Sequence, residues 1–389
     1  VDSQWVQPPE NTLESLKHAI QFNDGVEFDL RLTSDGALIV HHDSKLAIPP
    51  TDHPHSYSWT ENHTLDELTS FGFLSFQQML DDSTIASQWR DQGKMGCIEF
   101  KRPHPKALYG GGYFGHQRHV QHVANMVKKA DLLLEEHEIP SHNTVYYAFH
   151  RGMEASIRDA QTSRPWAELK PYMPPFGNYY SKRVRGGLQF LFTPLSRLIH
   201  LHRKAGASMV PCAVDYFVPP KNYIPLGRSG GLSGKPAQRF RKHQRGIPIY
   251  VWPTSLKIEH SILEAGLTGL TDCSDPSTTW LPSGHARWNQ PACLPLDTSQ
   301  KAVLKGASKD DHLDVLRELH DVAIPWLECD AARRKQLVEE WRKQWSWEAT
   351  TDAILDGLNA ASPPWQAVRL IGHRGSGKTP RPVLTPHSM

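Results

Sequence analysis

Two kinds of segment alternate along most of the chain. Leu13, Leu16 and Ile20 make an apolar stripe at helical spacing within Thr12 to Phe22, entered from Pro9-Glu10-Asn11. The same reasoning predicts helices over His119 to His137, Met153 to Gln161, Pro194 to Lys204, Ala237 to Gln244 and Lys257 to Ala265. Between them lie short apolar or alternating runs that predict strands: Val26 to Leu32, Ala37 to His42, Met95 to Lys101, Thr144 to His150, Ser208 to Phe217, Ile247 to Trp252 and Leu267 to Asp272. Strands that alternate with helices predict a parallel α/β sheet. Residues 283–365 change character. Asp330 to Trp347 reads as an amphipathic helix with Leu337, Trp341 and Trp345 on one stripe. Val368 to Ile371 then supplies one more strand. Residues 1–282 and 366–389 together suit a (β/α)₈ TIM barrel with loop insertions, and 283–365 a helical appendage or linker.

Composition narrows the class without identifying it. The formal net charge of +2 over 389 residues argues against nucleic acid as a partner. No apolar run reaches the roughly 18 residues of a bilayer span. Leu188 to Leu201, the most apolar window, is broken by Thr193-Pro194 and Arg197. The first residues, VDSQWVQPPEN, show no signal-peptide pattern. The cysteines (Cys97, Cys212, Cys273, Cys293, Cys329) are few, odd in number and widely spaced, which disfavours disulfides and fits a reduced, cytoplasmic setting.

The candidate chemistry lies in two strands. Alternation puts Glu27 and Asp29 of Val-Glu-Phe-Asp-Leu on one face, and Glu99 and Lys101 of Ile-Glu-Phe-Lys on another. Acids turned inward are costly unless something positive lies between them. Three carboxylates converging from two strands suit a hard cation, Mg²⁺ or Ca²⁺. The alternative is a pair of surface strands with solvated acids. Two further strands end in histidine, at His41-His42-Asp43 and at Gly372-His373-Arg374-Gly375. His42 and His373 could serve as base and acid beside a metal-held phosphate, with Arg374 and Lys101 neutralising its oxygens. His116, His119 and His122 read as a solvated helix face.

Together these pieces resemble the glycerophosphodiester phosphodiesterase family. The matching text is PENTLE (9–14), GVEFDLRLTSDGALIVHHD (25–43), IEFK (98–101), IYVWPTS (249–255), GLTGLTDCSDP (266–276) and IGHRG (371–375). The resemblance implies a TIM barrel that hydrolyses glycerophosphodiesters with a divalent metal. It implies Glu27, Asp29 and Glu99 as metal ligands, His373 and His42 as the acid/base pair, and Arg374 and Lys101 as phosphate contacts. Trp252 matches a tryptophan expected to wall the glycerol pocket. The family opens with its His-Arg-Gly motif, whereas here that motif comes last, so the chain reads as circularly permuted. Leu46-Ala47-Ile48-Pro49 stands where the family has an Arg-Thr-Thr-like stretch.

Three other readings compete. Residues 171–200 mix aromatic, apolar and basic side chains and would suit a lysophospholipase D or a sphingomyelinase-D-like enzyme on the same barrel. Gly372 to Thr379 matches the pattern G-x-x-x-x-G-K-[ST] of a phosphate-binding loop, although Pro380, Pro382 and Pro386 oppose the helix it needs. Lys235, Arg239, Arg241, Lys242 and Arg245 would suit a non-catalytic barrel that binds a polyanion, or simply a solvated helix.

Overall fold

The computed structural model describes residues 5–46, 59–112, 115–170, 193–218, 231–356, 358 and 362–379. Its strands, in chain order, are β1 (Gly25–Leu32), β2 (Leu38–Val40), β3 (Leu74–Ser75), β4 (Met95–Phe100), β5 (Thr144–Ala148), β6 (Trp166–Glu168), β7 (Val210–Ala213), β8 (Ile249–Thr254), β9 (Thr268–Thr271), β10 (Trp280–Leu281), β11 (His285–Ala286) and β12 (Leu370–Gly372). Eight of them form a parallel sheet in the order β6-β5-β4-β1-β12-β9-β8-β7. The two edges approach each other, and Ser208 N donates to Trp166 O at 2.8 Å, which brings the sheet close to a closed barrel. This is the expected TIM-type architecture, with its last-encoded strand between β1 and β9.

One strand assignment changes. Ala37 to His42 is not a barrel strand, because β2 pairs antiparallel with the far end of β1 and then with β3. The missing barrel strand is β6, only three residues long, where Trp166-Ala167-Glu168 carries too little pattern to register as a strand.

Burial explains why the apolar runs are nearly continuous. All eight residues of β1 and all six of β4 are buried, as expected when helices cover the outside and side chains fill the inside. Outside, Leu16 and Ile20 of helix Leu13–Phe22 pack with Phe28, Leu30, Trp89, Ile98 and Phe100. Each such side chain contributes about 1.5–3 kcal/mol on burial. Inside, Met95, Cys97, Val145, Tyr147, Met209, Tyr250, Leu270 and Ile371 fill the barrel below the acids. Strands β1 and β4 start so close together that a Cβ on Gly25 would lie 2.2 Å from Met95 O.

Residues between 287 and 369 meet the end of the barrel at which the strands begin. Asp24, just before β1, accepts amide protons from Ala292 (3.2 Å), Cys293 (2.8 Å) and Leu370 (3.3 Å). Arg369 donates to Gly93 O and Pro363 O, and Lys94 donates to Asn23 O at 2.6 Å. Trp326, Trp341, Trp345 and Trp347 form a buried cluster in the same segment, and Trp345 lies against Gly266 at the start of β9.

A second expectation fails in helix His116–Glu136. His119 and His122 are buried rather than solvated. The 104–112 loop folds over them: His119 Nε2 lies 2.5 Å from Gly110 O, and the His122 ring packs on Tyr109. The basic helix Gly234–Gln244 does behave as a solvated one, turning only Ala237, Phe240 and Gln244 inward. All five cysteines are free. No helix among the described residues is long and apolar enough to cross a membrane. Residues 47–49 and 171–192, which carry two of the readings above, lie outside the described residues.

Candidate active site

Register brings the acids together. Asp29 of β1 stands opposite Glu99 of β4, which stands opposite Tyr147 of β5. Glu27 lies one inward position below Asp29 on β1. One carboxylate oxygen from each of Glu27, Asp29 and Glu99 lies within 4.8 Å of the others. Their relative exposures are 1%, 0% and 5%, so the reading of solvated surface acids is wrong: the alternating strand faces a closed interior, not water. Tyr147 donates its hydroxyl to Glu27 Oε1 at 2.8 Å. Asn11 donates to Asp29 Oδ2 at 3.0 Å. Lys101 Nζ is 2.9 Å from Asp29 Oδ1 and also pairs with Glu99.

The charge balance is uneven. Burial raises Glu27, and the neighbouring Asp29 and Glu99 carboxylates add to this, up to about 8. Glu99 is raised to about 7, first by burial and then by Asp29, against the pull of Lys101. Burial also pushes Asp29 up, but Lys101, His42 and Arg374 outweigh it and hold Asp29 well below the usual carboxylate range. The cluster is therefore short of positive charge, and every donor it offers is a carboxylate oxygen. Those are the properties a hard divalent cation requires.

Two imidazoles flank the acids. His373 directly follows β12, and its backbone N–H donates to Thr271 O at 2.9 Å. Its Nδ1 lies 2.6 Å from Asp272 Oδ1 and its Nε2 lies 3.8 Å from Glu27 Oε2. The Trp252 indole nitrogen is 3.3 Å from the same Nδ1, and the much shorter aspartate contact decides where the Nδ1 proton points. His42 is held in the same manner, with Nδ1 2.7 Å from Asp43 Oδ1. Burial lowers both imidazoles, His42 to about 3 with help from the Lys101 ammonium. Both rings are thus biased towards the neutral form, with Nδ1 turned to an aspartate and Nε2 left for other partners.

Arg374 closes the cluster from above. It has a left-handed backbone (φ +54°) and gives its own N–H to Glu27 Oε2 at 2.7 Å. Its guanidinium donates to Glu10 Oε1 at 2.9 Å, and its Nε is 3.6 Å from Asp29 Oδ2. The turn that follows is stitched to the barrel. The amides of Gly375, Ser376, Lys378 and Thr379 donate to Glu27 O, Ser15 Oγ, Asp272 Oδ1 and Glu10 Oε2. Gly377 passes so close that a Cβ there would lie 2.0 Å from Asp272 O. This removes the phosphate-loop reading. The amides of Arg374, Gly375, Ser376 and Lys378, which would cradle a phosphate, already have protein acceptors. Lys378 Nζ lies 4.3 Å above the Trp252 ring at the mouth.

All eight residues singled out in the sequence belong to this one region: Glu27, Asp29, Glu99, Lys101, His42, His373, Arg374 and Trp252. Sequence reasoning passed over Glu10, Asn11, Asp272, Tyr147 and Arg31. The first three lie inside the quoted motif text, and Arg31 continues the 27, 29 alternation, so a signal existed for each. Tyr147 lies in a uniformly apolar strand and gave none.

Comparison with known proteins finds a family match over part of the chain. Residues 6–131 match the model of the Glycerophosphoryl diester phosphodiesterase family. No curated protein matches the chain. Similar solved structures include an Oleispira antarctica phosphodiesterase in complex with the product sn-glycerol-3-phosphate (13% identity, 70% of this chain and 90% of that one, TM-score 0.43). Others are glycerophosphodiester phosphodiesterases of Agrobacterium tumefaciens (16%, 69% and 92%, 0.43) and Thermotoga maritima (16%, 65% and 83%, 0.38).

Proposed function

We propose that the chain, of which residues 6–131 match the Glycerophosphoryl diester phosphodiesterase family, is a member of that family and hydrolyses glycerophosphodiesters to glycerol 3-phosphate and an alcohol with the help of a divalent cation. The observation that carries this reading is the convergence of Glu27, Asp29 and Glu99 between two aspartate-held imidazoles. The three acids would hold Mg²⁺ or Ca²⁺, which when bound supplies Lewis-acid stabilisation of the phosphoryl charge.

The remaining work belongs to the chain. Arg374 and Lys101 stabilise the phosphoryl oxygens, the former through a planar fork suited to them. Either water attacks phosphorus directly, or the neighbouring glycerol hydroxyl attacks first to give a cyclic phosphate whose ring a water then opens to glycerol 3-phosphate. One of His42 and His373 takes the attacking group's proton at Nε2, the bond to the alcohol oxygen breaks, and the other imidazole protonates that oxygen. The imidazole acting as acid, neutral in the substrate-free site, first takes up a proton at Nε2, a form that its Nδ1 aspartate and the bound phosphodiester anion stabilise. Trp252 walls the glycerol side.

The strand order also supports reading the chain as circularly permuted, since β12 with its Gly-His-Arg-Gly turn lies between β9 and β1. A gene re-ordered to place 366–389 before residue 1 is then expected to give the same fold and activity. We read 283–365 as a structural appendage. The functional test is a glycerophosphodiester panel assayed with EDTA and with add-back of Mg²⁺, Ca²⁺ or Mn²⁺. Hydrolysis lost in EDTA and restored by one of these ions is the expected result. Turnover indifferent to EDTA removes the metal from the mechanism.

A further inference from the structure

Beyond the acids, the alternating inward face of β1 continues to Arg31, whose side chain is 5% exposed. Its guanidinium donates twice to one atom, the carbonyl oxygen of His42, from Nε at 3.2 Å and from Nη2 at 2.8 Å. Nη1 reaches the fully buried Glu61 carboxylate and, at 3.4 Å, Arg102 O just past β4. The short turn that carries Glu61 is itself tied to the residues after His42. Thr60 Oγ1 donates to Asp43 O at 3.0 Å, and Thr60 N donates to Ser44 O at 3.0 Å. Residues 42–44 are therefore gripped from two sides, by the end of β1 and by the Glu61 turn.

We propose that Arg31, oriented by Glu61, is the positioning residue for His42. This rests on the reading of His42 as a catalytic imidazole. Asp43 fixes the ring through Nδ1 but sits on the same backbone, so it cannot fix where that backbone lies. Arg31 does. Because Arg31 shares a strand with Glu27 and Asp29, the same rigid element sets the metal-ligand carboxylates and the imidazole at a fixed separation. A buried Arg–Glu pair is weak evidence for stability. Two charge-assisted bonds onto the carbonyl of a candidate catalytic residue give this pair a use beyond stability.

The test is a double-mutant cycle on the full chain with the diester that the wild type turns over fastest. Arg31→Met is expected to lower kcat by about thirtyfold or more, with KM and the Mn²⁺ dissociation constant each within about threefold of wild type. In a His42→Ala background the same change is expected to cost less than about twofold, because its effect acts through a residue no longer there. Glu61→Gln keeps the side-chain shape and is expected to show the same signature at about fivefold, which covers the case in which Arg31→Met does not fold. An equal loss with and without His42 overturns the proposal, and so does a tenfold weaker Mn²⁺ affinity in either variant. A wild type inactive on every diester instead refutes the proposed function.

Discussion

The two ends of the barrel bury charge in opposite ways. Where the strands begin, two cations, Lys94 and Arg369, surround one acid, Asp24, and all three are bonded to backbone groups. The aromatic cluster of Trp326, Trp341, Trp345 and Trp347 packs in the segment that covers them. Where the strands end, three acids share Lys101 and Arg374, and Glu10 claims part of Arg374. The first arrangement is closed and serves to fix the ends of several strands. The second holds more acids than cations, and burial, with the repulsion of the neighbouring carboxylates added to it, raises Glu27 and Glu99. Three acids gathered against two shared cations are costly to a fold unless something else uses them.

Substitutions at the two ends should therefore separate activity from stability. Glu27→Ala is expected to abolish metal-dependent turnover, by about ten-thousandfold or more, while the thermal midpoint of the metal-free protein holds or rises. A turnover assay and a melting curve on the same sample check both halves. Arg369→Met should do the reverse. It leaves Asp24 buried with one cation fewer and is expected to cost about 3–5 kcal/mol in denaturant unfolding, with kcat per folded molecule unchanged. His42→Ala is expected to lower kcat by about a hundredfold with Mn²⁺ affinity retained. Steady-state kinetics beside a calorimetric titration checks this.

The smallest effect is on pH. The folded values of about 8 for Glu27 and about 7 for Glu99 lie above the ordinary 4.5. Between about pH 4.5 and 8 the folded chain holds protons that the unfolded chain has released, so metal-free stability falls as pH rises through that window. Asp29 has the opposite sign, its contribution being lost only as pH falls below the ordinary carboxylate value. A cation must displace the Glu27 and Glu99 protons, so its affinity climbs over the window in which metal-free stability falls. Melting curves at about pH 5.5 and 8.5, with and without Mg²⁺ or Ca²⁺, are expected to show a lower metal-free midpoint at the alkaline end and the larger ion-induced rise there.

Much of the end that carries the acid cluster was legible in the sequence, and much less of the other. Glu27, Asp29, Glu99 and Lys101 show as an acid or a base every second residue in an otherwise apolar strand, a pattern that solvated surface strands also give, and the motif text around them is what decides between the two. His42, His373 and Arg374 follow from motif text at strand ends. Three kinds of feature did not show. β6 is too short to carry a period. β2 has the composition of a barrel strand, and only its antiparallel pairing with β1 excludes it. His119 and His122 look solvated because the loop that covers them is adjacent in space, with no mark in the helix itself. The Asp24–Lys94–Arg369 cluster joins residues far apart in the chain, each unremarkable in its own neighbourhood.

The most direct measurement is a Mn²⁺ titration of the wild-type protein at mildly alkaline pH, followed by calorimetry or electron paramagnetic resonance. Saturation at about one ion per chain, lost in Glu27→Ala and kept in Arg369→Met, is the predicted result. A wild type that binds no ion, or binds it undiminished after Glu27→Ala, would contradict the assignment of Glu27, Asp29 and Glu99 to a metal.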